Sequence, residues 1–123
     1  MTTSDSKDPM PLRRIMEILE ADVLSGEEGL EAAVERVGAS DLMSDVLAFM
    51  TPGSLLLTGL KNPQVVRTAE MADLSAICFV RGKTPESQTL DLAAAREIPL
   101  LRTRLPMYEA CGRLFLAGLK ACF

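Results

Sequence analysis

The feature that most limits what this chain can become is a pattern repeated along its second half. Ser54-Leu-Leu-Leu-Thr58, Ala76-Ile-Cys-Phe-Val80 and Pro99-Leu-Leu101 are short, continuous apolar runs. Each is followed by a short polar loop and then by a helical stretch. A strand that alternates apolar and polar residues has one wet face; a strand without alternation is covered on both. Strand, loop and helix in that order build βαβ units, whose crossovers give a parallel sheet. The fold class is therefore α/β, with a mainly parallel sheet. The 123 residues, 48% of them apolar, suffice for one such core and not two.

The rest of the chain reads less sharply. Residues 1–9 form a polar stretch with nothing to bury, expected as a flexible tail ahead of one domain over 10–123. Leu12, Ile15, Met16 and Leu19 recur at helical spacing, which predicts a helix over Pro11–Leu19. Asp22–Leu24 is a short strand closed by Ser25-Gly26. Ala33–Ala39 fits either the end of a helix or a strand, with Val34 and Val37 on different sides. Ser40 resembles an N-cap and Asp41 a first-turn acid, ahead of a helix over Asp41–Met50 with the stripe Leu42, Met43, Val46, Leu47 and Met50. Val65, Val66, Ala69 and Ala72 mark the next helix, and Leu90 with Leu92–Ala95 the one after. Met107, Cys111, Leu114, Phe115 and Leu119 mark the last, so Cys111 is expected in the core beside Phe115.

Several chemistries are disfavoured. The chain has no histidine, so the usual general base for nucleophilic catalysis is missing and no catalytic residue is assigned. The three cysteines, Cys78, Cys111 and Cys122, are scattered, form no Cys-x-x-Cys pair and fall short of a four-thiolate cluster; no metal site is assigned. Cys78, inside an apolar run, reads as an inert core thiol. Asp41 and Asp45 share a helix face, but no third ligand stands at matching spacing, so they read as helix-end carboxylates. A net charge of −4 argues against nucleic acid, and no apolar stretch is long enough for a bilayer. With free thiols and no leader-like N-terminus, the expected compartment is the cytoplasm.

Function is expected at the carboxyl ends of the parallel strands. Three loops would meet there: Thr58-Gly59-Leu60-Lys61-Asn62, Arg81-Gly82-Lys83-Thr84 and Arg102-Thr103-Arg104. They hold five of the thirteen Lys and Arg residues of an acidic protein. Each feeds a helix N-terminus, which favours anions, and glycine allows close backbone approach. Thr58, Gly59, Lys61, Asn62, Arg81, Gly82, Lys83, Thr103 and Arg104 are accordingly the candidate residues for a small anionic ligand such as a nucleotide. None of these loops carries a P-loop or a dinucleotide fingerprint, and the sequence singles out no cofactor. Seven methionines and the apolar ending Leu114–Phe123 suggest a surface covered by a partner, most simply a second copy in a homodimer.

From Arg36 to Leu119 the chain resembles the DRTGG-type domain family. The likeness rests on Ser40-Asp-Leu-Met-Ser-Asp-Val-Leu47, Leu57-Thr-Gly59, Thr68-Ala-Glu-Met71, Val80-Arg-Gly-Lys83 with Pro85, and Tyr108-Glu-Ala-Cys-Gly112. It is similar to the small stand-alone members found beside iron-only hydrogenase genes in anaerobic bacteria. The resemblance implies an α/β/α fold like the N-terminal domain of HPr kinase and a non-catalytic regulatory, ligand-binding or dimer-forming role. It also implies, as an alternative, an accessory role with a hydrogenase or related redox-enzyme subunit as partner. This chain has Val80-Arg-Gly-Lys83 where other members place Thr-Gly-Gly.

Overall fold

The computed structural model describes residues 9–123, so all but Pro9 of the expected tail lies outside the described residues. The elements run β1 (Met10–Pro11), α1 (Leu12–Leu19), β2 (Asp22–Ser25), β3 (Ala33–Val34), β4 (Arg36–Ala39) and α2 (Met43–Phe49). There follow β5 (Leu55–Thr58), α3 (Gln64–Met71), β6 (Ala76–Phe79), α4 (Ser87–Ala95), β7 (Leu100–Arg102), α5 (Met107–Leu116) and β8 (Lys120–Ala121). A 3-10 turn at Glu27–Gly29 links β2 to β3.

Six strands form the main sheet in the order β2-β7-β6-β5-β4-β8. β4, β5, β6, β7 and β8 are parallel, and β2 is antiparallel on the β7 edge. β1 and β3 make a separate antiparallel pair. The two central strands, β5 and β6, are buried at every position, as their unbroken apolar runs require. Their alternate residues serve different layers. Leu55, Leu57, Ala76 and Cys78 join Ile15 of α1 and Leu114 of α5 in one cluster. Leu56, Ile77 and Phe79 join Val46 of α2, Val66 of α3 and Ala93 of α4 in the other. The result is the expected α/β/α sandwich, α1 and α5 on one face of the sheet and α2, α3 and α4 on the other.

Several local expectations change. Ala33–Ala39 is neither a helix end nor one strand but two strands broken at Glu35. The break resets the alternation, so Val34 and Val37 enter the same cluster instead of facing opposite sides. Ser40 does not cap α2. Its Oγ accepts the Leu42 N–H at 2.9 Å in a local turn, and the helix begins at Met43 with Leu42 at its N-cap. Leu42 and Leu47 of the expected stripe stay half-exposed. In α5 the buried residues are Ala110 and Leu114, four apart; Phe115 points to solvent and Cys111 is half-buried, so the shared core face expected for those two is absent. The helix stops at Leu116, and the chain then returns as β8, whose two residues pair with Arg36 and Val37.

Cys78 fits its expected role. Its thiol is fully buried, and desolvation pushes its pKa from the ordinary 9.0 up to about 12, opposed by a weaker hydrogen bond from the Thr103 backbone. The thiol therefore stabilises the fold fully below pH 9.0, where the unfolded chain also keeps it protonated. That contribution is lost as pH rises towards about 12. In urea melts, wild type is expected to lose stability faster than Cys78→Ala over that interval. A thiol reagent should modify Cys78 only when the chain unfolds. Rapid labelling of Cys78 in the folded protein would contradict this burial.

Candidate anion-binding rim

Because β4 to β7 run parallel, their carboxyl ends lie along one rim, and hydrogen bonds lace the loops there to one another. The Val80 N–H donates to the Thr58 carbonyl, and Thr103 N–H to that of Phe79. After β6 the chain turns through Arg81 and Gly82, with φ of 56° and 66°. Two successive left-handed residues, one of them not glycine, cost about 1–2 kcal/mol at the arginine. The turn is held by two 2.8 Å bonds, Arg81 N–H to the Leu105 carbonyl and Gly82 N–H to that of Thr103. Farther along, the Lys61 carbonyl accepts the Glu86 N–H at 3.0 Å and the Thr89 hydroxyl at 2.6 Å. The loops after β5, β6 and β7 thus form one continuous margin.

The side chains on that margin divide into two kinds. The first kind builds the rim. Thr58 is buried, donates its hydroxyl to Asp41 Oδ1 at 2.8 Å and accepts the Leu60 N–H at 3.2 Å. Thr103 repeats the device two strands away. It is buried, donates to the Leu19 carbonyl at 2.7 Å and accepts the Leu105 N–H at 3.2 Å. The Gly59 N–H is taken by Asp41 Oδ1 at 2.7 Å, and Asn62 Oδ1 accepts the Gln64 N–H at the start of α3. These polar atoms already have protein partners.

The second kind is free. Lys61, Arg81 and Arg104 are exposed and Lys83 is half-buried. Among the described residues none of the four lies within ion-pair distance of a carboxylate, whereas Arg13, Arg96, Arg102 and Arg113 all do.

At the β7 end the rim sinks into a hollow of about 380 Å³. Of the sequence-derived candidates it gathers Gly82, Thr103 and Arg104; Thr58, Gly59, Lys61, Asn62, Arg81 and Lys83 are not in its lining. It also takes in Arg102, Glu20 and Asp22, which the sequence did not add to that set. Arg102 is held by Thr84 Oγ1 at 2.8 Å and Asp22 at 3.7 Å. Glu20 and Asp22 arrive because β2 pairs antiparallel with β7, which brings its first residue to the carboxyl end of its neighbour. Apolar alternation in a four-residue strand carries no signal for that pairing.

Asp41 departs most from expectation. It precedes α2 and uses its carboxylate to clamp Thr58 and Gly59, while Asp45 alone sits in the first turn. A hydroxyl and an amide on the adjacent strand end are better donors than the weak field of a seven-residue helix. No group of three or more His, Cys, Asp or Glu side chains among the described residues is placed to hold a metal ion.

Layer order and parallel crossovers define a small three-layer α/β/α domain whose strand-end loops carry neither a P-loop nor a dinucleotide fingerprint. The chain belongs to the DRTGG domain family, whose model matches residues 14–116. Among solved structures it is similar to the CBS and DRTGG domains of the regulatory region of Clostridium perfringens pyrophosphatase, complexed with its activator diadenosine tetraphosphate. That likeness has a TM-score of 0.67 and 21% identity, over 89% of this chain and 47% of the other. The present chain thus spans about half the length of that regulatory region. No curated protein sequence matches it significantly. Nothing in these likenesses bears on a hydrogenase. No helix among the described residues is long and apolar enough to cross a membrane.

Proposed function

We propose that this protein is a non-catalytic regulatory module that binds a small anionic ligand, a nucleotide or other phosphorylated metabolite, at the carboxyl rim of its sheet. The observation that carries the reading is the set of four cations, Lys61, Arg81, Lys83 and Arg104, free of carboxylate partners among the described residues on one hydrogen-bonded margin. Cations left unpaired on a protein of net charge −4 are available to an incoming anion. The strained Arg81 backbone agrees, since left-handed non-glycine residues gather at functional sites. A related regulatory region takes a polyanionic dinucleotide as its activator, which suits the same ligand class.

The experiment is a thermal-shift panel with inorganic phosphate, mononucleotides and diadenosine tetraphosphate. A ligand at a hundred times its dissociation constant should stabilise the fold by about 2.7 kcal/mol. Arg81→Gly separates function from folding. It relieves the left-handed strain, so it should raise stability by about 1 kcal/mol, while weakening anion binding; Arg104→Ala should weaken binding with little change in stability. A panel without any shift, or full binding by both variants, would rule out the rim as the site.

A further inference from the structure

The hollow of about 380 Å³ at the β7 end of the rim holds more than a bare anion needs. Its lining carries two carboxylates, Glu20 and Asp22, as well as two guanidiniums, Arg102 and Arg104. A site for phosphate alone gains nothing from carboxylates, which repel the ligand. Backbone structure brings both of them there. Glu20 is the C-cap of α1, its N–H on the Glu17 carbonyl, and Asp22 opens β2 opposite Arg102 of β7.

We propose that this hollow selects a phosphorylated vicinal diol, either the ribose phosphate of a nucleotide or a free sugar phosphate. Glu20 and Asp22 accept its two hydroxyls, and Arg104 holds its phosphate. The inference rests on the rim reading and adds what the ligand must carry besides negative charge.

The first support is how the carboxylate oxygens are used. Glu20 Oε2 accepts from Arg113 at 3.2 Å, an arginine shared with Glu109 at 2.9 Å. Asp22 Oδ2 stands 3.7 Å from Arg102, which also donates to Thr84 Oγ1 at 2.8 Å. The second oxygens, Glu20 Oε1 and Asp22 Oδ1, receive no hydrogen bond or ion pair among the described residues. An ionised carboxylate only accepts, so whatever completes these two must donate. Hydroxyls donate without adding charge to carboxylates that guanidiniums already neutralise in part. A diol supplies two, one for each free oxygen. Carboxylates take ribose hydroxyls in dinucleotide-binding folds by the same chemistry.

Charge is the second support. Arg104 lies in the same lining and pairs with no carboxylate among the described residues. The hollow thus offers a free cation for a phosphate together with acceptors for hydroxyls.

Size and lining agree. Ligand pockets run from ~300 to 1,000 Å³, and this one lies near the small end, with room for a sugar and its phosphate but not for a whole dinucleotide. Leu19 and Leu105 are the apolar side chains of its lining, and no aromatic ring belongs to it. A nucleotide would therefore leave its base outside, with sugar and phosphate in the hollow.

Isothermal titration calorimetry of the full chain tests this with ribose 5-phosphate, AMP, 2-deoxyribose 5-phosphate, O-phosphoethanolamine and inorganic phosphate. Ribose 5-phosphate is expected to bind about tenfold or more tighter than the deoxy sugar and inorganic phosphate. Tighter binding of AMP than of ribose 5-phosphate would make the nucleotide the source, and the reverse order the free sugar. Glu20→Ala and Asp22→Ala should each remove most of the diol preference, while affinity for inorganic phosphate holds or rises because a repelling charge is gone. Both side chains are exposed, so far-UV circular dichroism should not change. Equal affinity for the ribose and deoxyribose phosphates overturns the proposal and leaves the anion-binding rim standing. So does tighter binding of O-phosphoethanolamine, which would give the carboxylates to an ammonium. A diol preference that both variants keep overturns it too. Binding of none of the five removes the rim reading and this inference with it.

Discussion

Phe79→Ala is expected to destabilise the folded chain by about 4 kcal/mol, the usual cost of truncating a fully enclosed phenylalanine. Phe79 ends β6, between Thr58 of β5 and Arg102 of β7, and its side chain is wholly buried in the layer beneath α2, α3 and α4. Its loss removes the transfer free energy of the ring and leaves a cavity between a sheet and helices that cannot close fully. A domain of this size has about 5–15 kcal/mol of stability in total, so the variant should sit near the edge of folding at body temperature. In urea the midpoint should fall by about 2–3 M with the slope unchanged. Phe79→Leu should lose less than half as much. Phe115→Ala, at a ring that is 74% exposed, should change protomer stability by no more than about 0.5 kcal/mol when measured below the concentration of any dimer. Equal losses at the two phenylalanines would contradict the layer assignment.

The second large effect is expected at Asp41. Asp41→Ala deletes one carboxylate oxygen that holds both the Thr58 hydroxyl and the Gly59 amide. Thr58 is fully buried, so its hydroxyl loses its acceptor where water enters poorly. A hydrogen bond to a charged group contributes about 1.5–3 kcal/mol, and the partial exposure of Asp41 places the expected loss near 2 kcal/mol, with a melting temperature lower by roughly 5–10 °C. Asn retains an acceptor oxygen at this position, so Asp41→Asn should recover about half of that loss. Hydrogen exchange gives a local readout: the Gly59 amide should be protected in wild type and exchange freely in Asp41→Ala. Unchanged protection would mean that something other than Asp41 holds the loop. Since this loop leads directly to Lys61 and Asn62, the alanine variant should also weaken any anion bound at the rim, without touching a cation.

Asp41 shows where sequence reasoning stops. Ser40-Asp41 ahead of an apolar run is a fair helix-start signal, because caps and helix dipoles act over one turn. The donors that claim Asp41 come from residues 58 and 59, on a neighbouring strand, and no local pattern encodes that meeting. Thr58 and Thr103 are a similar case. As polar residues at strand ends they qualified as ligand contacts, but both are buried and their hydroxyls serve Asp41 and the Leu19 carbonyl. Lys61, Arg81, Lys83 and Arg104, which the same reasoning selects, are in no ion pair among the described residues.

The sequence by itself determined the layered α/β plan, the order of its main strands and helices, and the loops that share the carboxyl rim. Leu55–Thr58 and Ala76–Phe79 announce doubly covered strands because burial on both faces removes alternation, and period is a local property. Tertiary structure alone decided which edge β2 would join, that two residues near the C-terminus would become β8, and that β3 and β4 would break at Glu35. It also chose Ala110 and Leu114 over Cys111 and Phe115 as the buried face of α5, which left an aromatic surface beside Gly112. Such choices depend on partners far away in sequence: a two-residue strand has no periodicity to read, and a helix with apolar residues on several sides is oriented only by the sheet it lies against.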